Sequence, residues 1–413
     1  MKNTKYNIGK WMPSDAKHLE NWKQELIQEV DRNKQSLLPV IQEFKDFIEA
    51  DSEIYMLFNQ MFSQLPHTKR FKDSPTGKPQ VRDYHHMLEL LNAIMTKAPE
   101  FNQTGLVGFP INAILDWSMA TTGGYAAFLN KKVNRHLKKI LNEWAVFLSS
   151  KESCHVLNQD PQSGWFGKNA QKAMPTFVDD FNCDPSLPHH GFTSWDNFFT
   201  RTFREGKRPI ANGADDIANA CESAPYKIAK DINEVDKFWI KSQPYSLRHI
   251  LNNDPYTSQF VGGTIYQAFL SAFSYHRWHS PVDGTVVKTQ IIDGTYYSET
   301  LTEGFDGSGP NESQGYIAEI ATRGLIYIQA DNPKIGLMCF VAIGMAEVST
   351  CDITVFEGQK IKRGQETGMF HFGGSTHLLI FRPEVALDFD MHGQTPGLDS
   401  SNIPINSRIA TVK

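Results

Sequence analysis

Several things are scarce in this 413-residue chain. Its five cysteines, Cys154, Cys183, Cys221, Cys339 and Cys351, never fall in a CxxC spacing. That argues against a disulfide framework or a thiolate zinc site and suits reduced thiols in a cytoplasmic protein. No stretch approaches the roughly 18 apolar residues of a spanning helix, and the opening MKNTKYNIGKWMPSD lacks the apolar centre of a secretory signal. There is no basic excess: the net charge of −5 leaves no electrostatic footprint for nucleic acid. A GxGxxG after a strand, a Walker loop and an internal repeat are all missing. What remains, 40% hydrophobic and 21% charged, is the make-up of a soluble globular protein, long enough for two or more units.

The first 154 residues carry helical periodicity. Leu19, Trp22, Leu26 and Val30 recur every three or four positions, and after Pro39 the spacing resumes at Ile41, Phe44 and Ile48. IYMLFNQMF, DYHHMLELLNAIM and KKVNRHLKKILNEWAVFLSS continue the pattern. GLVGFPINAILDWSMATTGGYAAFL is apolar on all sides, which predicts burial, either as plain core or as the wall of a ligand pocket. Residues 155–192, rich in Asn, Asp, Gly, Pro and Ser, are expected to be a linker or a wrapping segment. Thr193 and Asp196 have capping-box spacing ahead of WDNFFTRTF. From Pro209 onward the texture is β: GTVVKTQII, GLIYIQA, GLMCFVAIGMAEV, DITV and HLLIF alternate with turns. The expected class is α+β, with helices at 1–154 and a mainly antiparallel β domain over 193–413.

Two stretches could do chemistry. In YHRWHSPVDG, His276 and His279 are three apart. On a helix they would share a face, as in a metal site, but the Ser-Pro and Asp-Gly pairs favour a strand end, and no third ligand is nearby. A pair of acid–base imidazoles and a pair of structural histidines both fit. In FHFGGSTHLLIF, Ser375 follows two glycines without the GxSxG elbow of a hydrolase. Gly373 and Gly374 leave the Gly374 carbonyl open, and a hydroxyl just after an open carbonyl can attack it once a base takes its proton. An ordinary turn has the same letters.

Four motifs, in order, resemble the phosphatidylserine decarboxylase family of pyruvoyl enzymes: FFTRTFREGKRPI at 198–210, GGTIYQAFLSAFSYHRWHSPVDGTV at 262–286, VAIGMAEVSTCDI at 341–353 and KRGQETGMFHFGGSTHLLIF at 362–381. The long helical N-terminal region resembles the branch of that family that includes tryptophan decarboxylases. The resemblance implies self-cleavage between Gly374 and Ser375, giving a β chain of 1–374 and an α chain of 375–413. Residue 375 would end as a covalent pyruvoyl group, to which the amine of a small amino-acid substrate joins as a Schiff base before losing carbon dioxide. His279 takes the position of the self-cleavage base, and His276 that of a proton donor in decarboxylation.

The family's acid, in a Ser-Pro-x-Asp-Gly stretch after Arg-Pro-Ile, is absent here. Counting on from Ile210 brings Glu222 to its place, and Asp283 is the rival acid. The expected substrate is a free aromatic amino acid such as tryptophan, with Phe109, Trp117 and Tyr125 available as an apolar wall. Phosphatidylserine is the alternative, for which KKVNRHLKKILNEW is the one near candidate for membrane docking. An uncleaved binding or scaffold protein is the alternative of another class. Members of the family often form dimers, while the sequence itself is silent on assembly.

Overall fold

The computed structural model describes residues 16–64, 81–101, 110–119, 121–236, 245–271, 273–299, 314–347, 350–372, 375–397 and 399–413. They divide into two compact units. One holds the described residues up to Pro175 with Asp184–Phe198 and 295–299; the other holds Thr176–Cys183, Phe199–Gly294 and Gln314–Lys413. The class is α+β, helices in the first unit and antiparallel sheets in the second.

The helical unit contains α1 (Ala16–Arg32), α2 (Pro39–Ala50), α3 (Ser52–Gln64), α4 (Tyr84–Ile94), α5 (Pro110–Met119), α6 (Thr122–Leu129) and α7 (Lys131–Leu148). Pro39 opens α2, where its missing N–H costs nothing. Side chains cap the later helices: Asp83 accepts from His86 N at 2.8 Å, Thr121 from Gly124 N at 2.9 Å and Asn130 from Lys132 N at 2.8 Å. The periodic residues Ile41, Phe44 and Ile48 are buried, and Phe44 meets Phe58 of α3 edge to face at 5.7 Å. A Cβ on Gly123 would lie 2.8 Å from Met61 N, so glycine there lets α6 approach α3. On α7 the apolar stripe Val133, Leu137, Ile140, Trp144 faces inward. Its Lys132 and Lys139 pair with Asp51 and Glu43 of the same unit.

Residues 155–192 carry short helical turns and bury Trp165 and Phe166. Trp165 lies 4.9 Å from the Trp195 ring and 5.1 Å from Phe198. The following helix, Trp195–Phe199, is capped one residue later than expected. Ser194 Oγ accepts from Asn197 N at 3.0 Å, and Asn197 Oδ1 reaches back to Thr193 N at 3.2 Å. Ser194 thus supplies the N-cap bond, and the Asn197 amide oxygen accepts from Thr193 N, one residue before the N–H that a capping box would use.

The second unit has β1 (Asp216–Ala218), β2 (Ala224–Ala229), β3 (Thr264–Leu270), β4 (Arg277–His279), β5 (Gly284–Ile292), β6 (Arg323–Ala330), β7 (Leu337–Gly344), β8 (Thr350–Ile353), β9 (Lys360–Ile361), β10 (Glu366–His371), β11 (Ser375–Phe381), β12 (Leu387–Phe389) and β13 (Arg408–Val412). Seven form one sheet in the order β2-β3-β11-β7-β6-β5-β9; β4-β10-β8 and β1-β13-β12 form two smaller ones. Every strand pair is antiparallel. β7 and β11 are buried on both faces, which is why LMCFVAIG and LLIF are continuous apolar runs rather than alternating ones. Among the described residues no helix is long and apolar enough to cross a membrane.

Candidate active site

β11 begins at Ser375, which pairs with Leu270 of β3 on one side and Gly344 of β7 on the other. Its side chain is fully buried, and Oγ has no hydrogen-bond partner among the described residues. A buried hydroxyl left unpaired costs about 1–3 kcal/mol, which makes Ser375 a candidate for chemistry. Gly374 lies outside the described residues. Just upstream, Phe372 holds a left-handed φ of 67°, unfavourable for a bulky side chain and a known form of strain near functional sites.

Three residues of the HRxH stretch form a strand, with His276 just before it. With β4 at Arg277–His279, residues 276 and 279 project to opposite faces, so a three-residue spacing does not make a shared site. Among the described residues no cluster could hold a metal ion. His276 and Trp278 are both fully buried, whereas Arg277 and His279 retain some exposure. Arg277 donates to both oxygens of Glu366 on β10 at 2.9 Å and to the Thr200 carbonyl at 2.7 Å.

His276 is joined to the strand that leads to Ser375. Its carbonyl accepts from Phe370 N at 2.9 Å. Its ring stacks on Phe199 with centroids 3.9 Å apart, and Phe199 in turn meets Phe372 at 5.9 Å. Arg201, from the same FFTRTF segment, is wholly buried and donates to the carbonyls of Phe273 and Ser274 at 2.7 and 3.1 Å. Burial pushes its guanidinium down to about 10, still charged at neutral pH. The Phe181 ring covers it at 4.5 Å. FFTRTF therefore positions the histidine loop: Phe199 from the side, Arg201 from behind.

His279 sits in a different set of bonds. Its backbone N donates to Ala220 O at 2.9 Å. Nδ1 lies 3.0 Å from Asn406 Oδ1 and Nε2 lies 3.0 Å from the Tyr275 hydroxyl. Burial pushes the imidazole below the usual histidine range, and the bond to Asn406 offsets part of that. Glu222 does not reach it. Both Glu222 oxygens accept from Arg208, at 2.8–3.2 Å, and Oε2 also accepts from Ile405 N at 2.8 Å. The expected Glu222–His279 bond is replaced by an ion pair, because the Arg208 fork matches a carboxylate bidentately. Asp283 is elsewhere as well: its side chain accepts from Arg363 N at 3.1 Å in the turn before β5. The structure thus ties His276 to the segment before Ser375 and His279 to Asn406, with no hydrogen bond between Ser375 and either imidazole among the described residues.

Four participants escaped the sequence reading. Tyr275 and Phe199 lie within quoted motifs, but only the fold turns their rings toward the histidines. Asn406 is 127 residues from His279 and carries no local signal. His377 shares the face of β11 with Ser375, two residues on. It lies between the flanking Ala268 and Ala342, against Phe340 and Tyr266, with neither ring nitrogen bonded.

Of the sites expected from sequence, Phe109 falls outside the described residues, and Trp117 and Tyr125 lie half-buried on α5 and α6 of the helical unit.

Comparison with known proteins agrees with this layout. Two phosphatidylserine decarboxylase family models match, over residues 38–174 and 195–396. An L-tryptophan decarboxylase of Psilocybe cubensis is 38% identical, the match covering 92% of this chain and 88% of the relative. The chain belongs to the phosphatidylserine decarboxylase family. A second L-tryptophan decarboxylase, from Psilocybe cyanescens, is 39% identical over 98% of this chain and 94% of its own. The decarboxylase iboD of Amanita muscaria is 43% identical over 68% and 86%. As a member of this family the chain is a carboxy-lyase, and the two matches reach into both of its units.

Proposed function

We propose that the chain processes itself at Gly374–Ser375 and then decarboxylates a free aromatic L-amino acid, tryptophan foremost. The observation that carries the processing step is the buried Ser375 Oγ, without a hydrogen-bond partner among the described residues, at the head of a strand paired on both sides. Oγ attacks the carbonyl carbon of residue 374, its proton passes to a base, and the leaving amine of residue 375 takes a proton, so the peptide becomes an ester. Loss of the Cα proton of residue 375 then breaks its Cβ–O bond, and chain 1–374 departs with a terminal carboxylate. Water replaces nitrogen on the remaining dehydroalanine, ammonia leaves, and a ketone stands at residue 375.

The residues fit such a group: its hydroxyl precursor is present, shielded from water and uncommitted to other bonds. Once formed, a pyruvoyl group supplies an electron sink for the pair left as carbon dioxide departs. The roles assigned to the histidines follow the family motif that each one matches. His279 serves as the base for processing. His276, stacked beside the Phe372 segment, returns a proton to the product carbon.

Similarity to the two fungal tryptophan decarboxylases runs through the helical unit as well as the sheets, which supports a free amino acid as substrate. Pairing of Lys132 and Lys139 with Asp51 and Glu43 within the helical unit weighs against α7 as a lipid-docking face.

Denaturing mass spectrometry of freshly purified protein is the test. Two fragments, 1–374 and a pyruvoyl-blocked 375–413, are expected; a chain that stays whole is a scaffold and not this enzyme. Carbon dioxide release is then measured with tryptophan, phenylalanine, tyrosine and phosphatidylserine liposomes. Release from liposomes alone would overturn the substrate.

A further inference from the structure

The carboxylate that should orient His279 is occupied elsewhere, and an amide stands in its place. Asn406 lies just before β13 with φ 69°, and its backbone is fixed by bonds to Asn219 O and from Ala211 N. Its Nδ2 donates to the Arg208 carbonyl at 3.4 Å, which turns Oδ1 toward His279. An amide oxygen can only accept, so the proton of neutral His279 resides on Nδ1. Nε2 is then the bare nitrogen, and Tyr275 donates to it at 3.0 Å. Tyr275 is buried against Phe203, and burial pushes its hydroxyl well above the usual tyrosine range, so it remains a donor.

We propose that Asn406 is the positioning residue of the processing base, fixing His279 in the tautomer whose Nε2 can take a proton. Glu222 acts one bond further out: it holds Ile405 N and Arg208, and so places the residue before Asn406 and the carbonyl that orients its amide. This inference rests on the reading of His279 as the base that activates Ser375. It also has a chemical consequence. An aspartate would stabilise the imidazolium strongly as the proton arrives; a neutral amide orients the ring and does so far more weakly. The charged groups near His279 are Glu366, which favours its protonation, and Arg277, which opposes it. Those two neutralise each other in their own bidentate pair. Substitution at 406 is therefore the direct way to change the field on this ring.

Variants at 406 must tolerate a positive φ, which selects glycine and aspartate. Full-length Asn406→Gly and Asn406→Asp are compared with wild type, Glu222→Gln and His279→Gln for the rate of chain cleavage against pH. In parallel, the His279 imidazole is titrated by NMR in a Ser375→Ala background, which reads the ring without any cleavage. N406D is expected to raise the His279 pKa and move the acid limb of the cleavage profile to higher pH. N406G is expected to lower the pKa, move that limb to lower pH and slow the plateau by about ten- to a hundred-fold, within the span of general-base effects. E222Q is expected to leave the limb in place. Limbs that stay fixed in both Asn406 variants while H279Q abolishes cleavage would overturn the role of Asn406 alone. So would a limb that moves in E222Q and not in the others. Unchanged cleavage in H279Q would overturn the reading of His279 beneath it.

Discussion

Phe199 lies nearly flat on His276, centroids 3.9 Å and planes 22° apart, and its ring also meets Phe372. One side chain thus joins the histidine loop to the strained residue two before the cleavage dipeptide. Replacing it by leucine removes ring contacts on both sides and leaves a small void. The loss expected is about 1–3 kcal/mol, and both processing and decarboxylation should slow in Phe199→Leu. Thermal unfolding and time-resolved cleavage check this. A variant of lowered melting temperature that processes at the wild-type rate would show the stack to be packing only.

Arg201 is a buried cation that donates to two backbone carbonyls and lies under an aromatic face. Arg201→Lys keeps the charge but cannot span the carbonyls of Phe273 and Ser274 with a rigid fork. Arg201→Met removes both bonds. Losses of about 2–4 kcal/mol are expected for methionine, from two charge-assisted hydrogen bonds, with lysine between methionine and wild type. Because those carbonyls lie two and three residues before His276, slower processing should follow the same order. Unfolding in urea gives the first quantity and denaturing gels the second.

The segment 375–413 is expected to remain in place after cleavage. All seven residues of β11 pair with both neighbours, and β13 is the middle strand of its own sheet. Removal would strip hydrogen bonds from three other strands, β3, β7 and β1. Processed protein should therefore elute as a single species in native buffer and separate into two chains only in denaturant. Native and denaturing mass spectrometry of one sample decide it, and free 375–413 in native buffer would contradict it.

The large elements were legible because their causes are local. α2 and α7 show their apolar stripes, and β5, β6, β7 and β11 are short β-rich runs between turns. Ser375 stood out because two glycines and a strand surround it. The fate of Glu222 was not legible. Its position matched the family's acid by count, but its partner is decided by Arg208, which lies 14 residues away and brings a fork of donors. The helix cap falls one residue later than the spacing suggested for a related reason: Ser194 and Asn197 offered side chains as suitable as Thr193 and Asp196, and composition alone did not distinguish the two registers.

His377 is the residue most exposed to a pH test. It is fully buried with both ring nitrogens unbonded among the described residues, and burial pushes its imidazole down to about 3. The unfolded chain titrates near the ordinary value of about 6.5. Below that pH the unfolded state takes up a proton that the folded state refuses. The contribution of His377 is therefore fully present above 6.5 and is lost as pH falls toward 3, by roughly 1.4 kcal/mol per unit. Between pH 7 and pH 5 this amounts to about 2 kcal/mol. Leucine fits between Phe340 and Tyr266, beside Ala268 and Ala342, without a titrating group. In a Ser375→Ala background, which keeps the chain whole, His377→Leu should lose about 2 kcal/mol less stability than its parent over that interval. Urea unfolding at the two pH values measures the difference. Equal losses would mean that His377 finds a proton-compatible partner in the folded state.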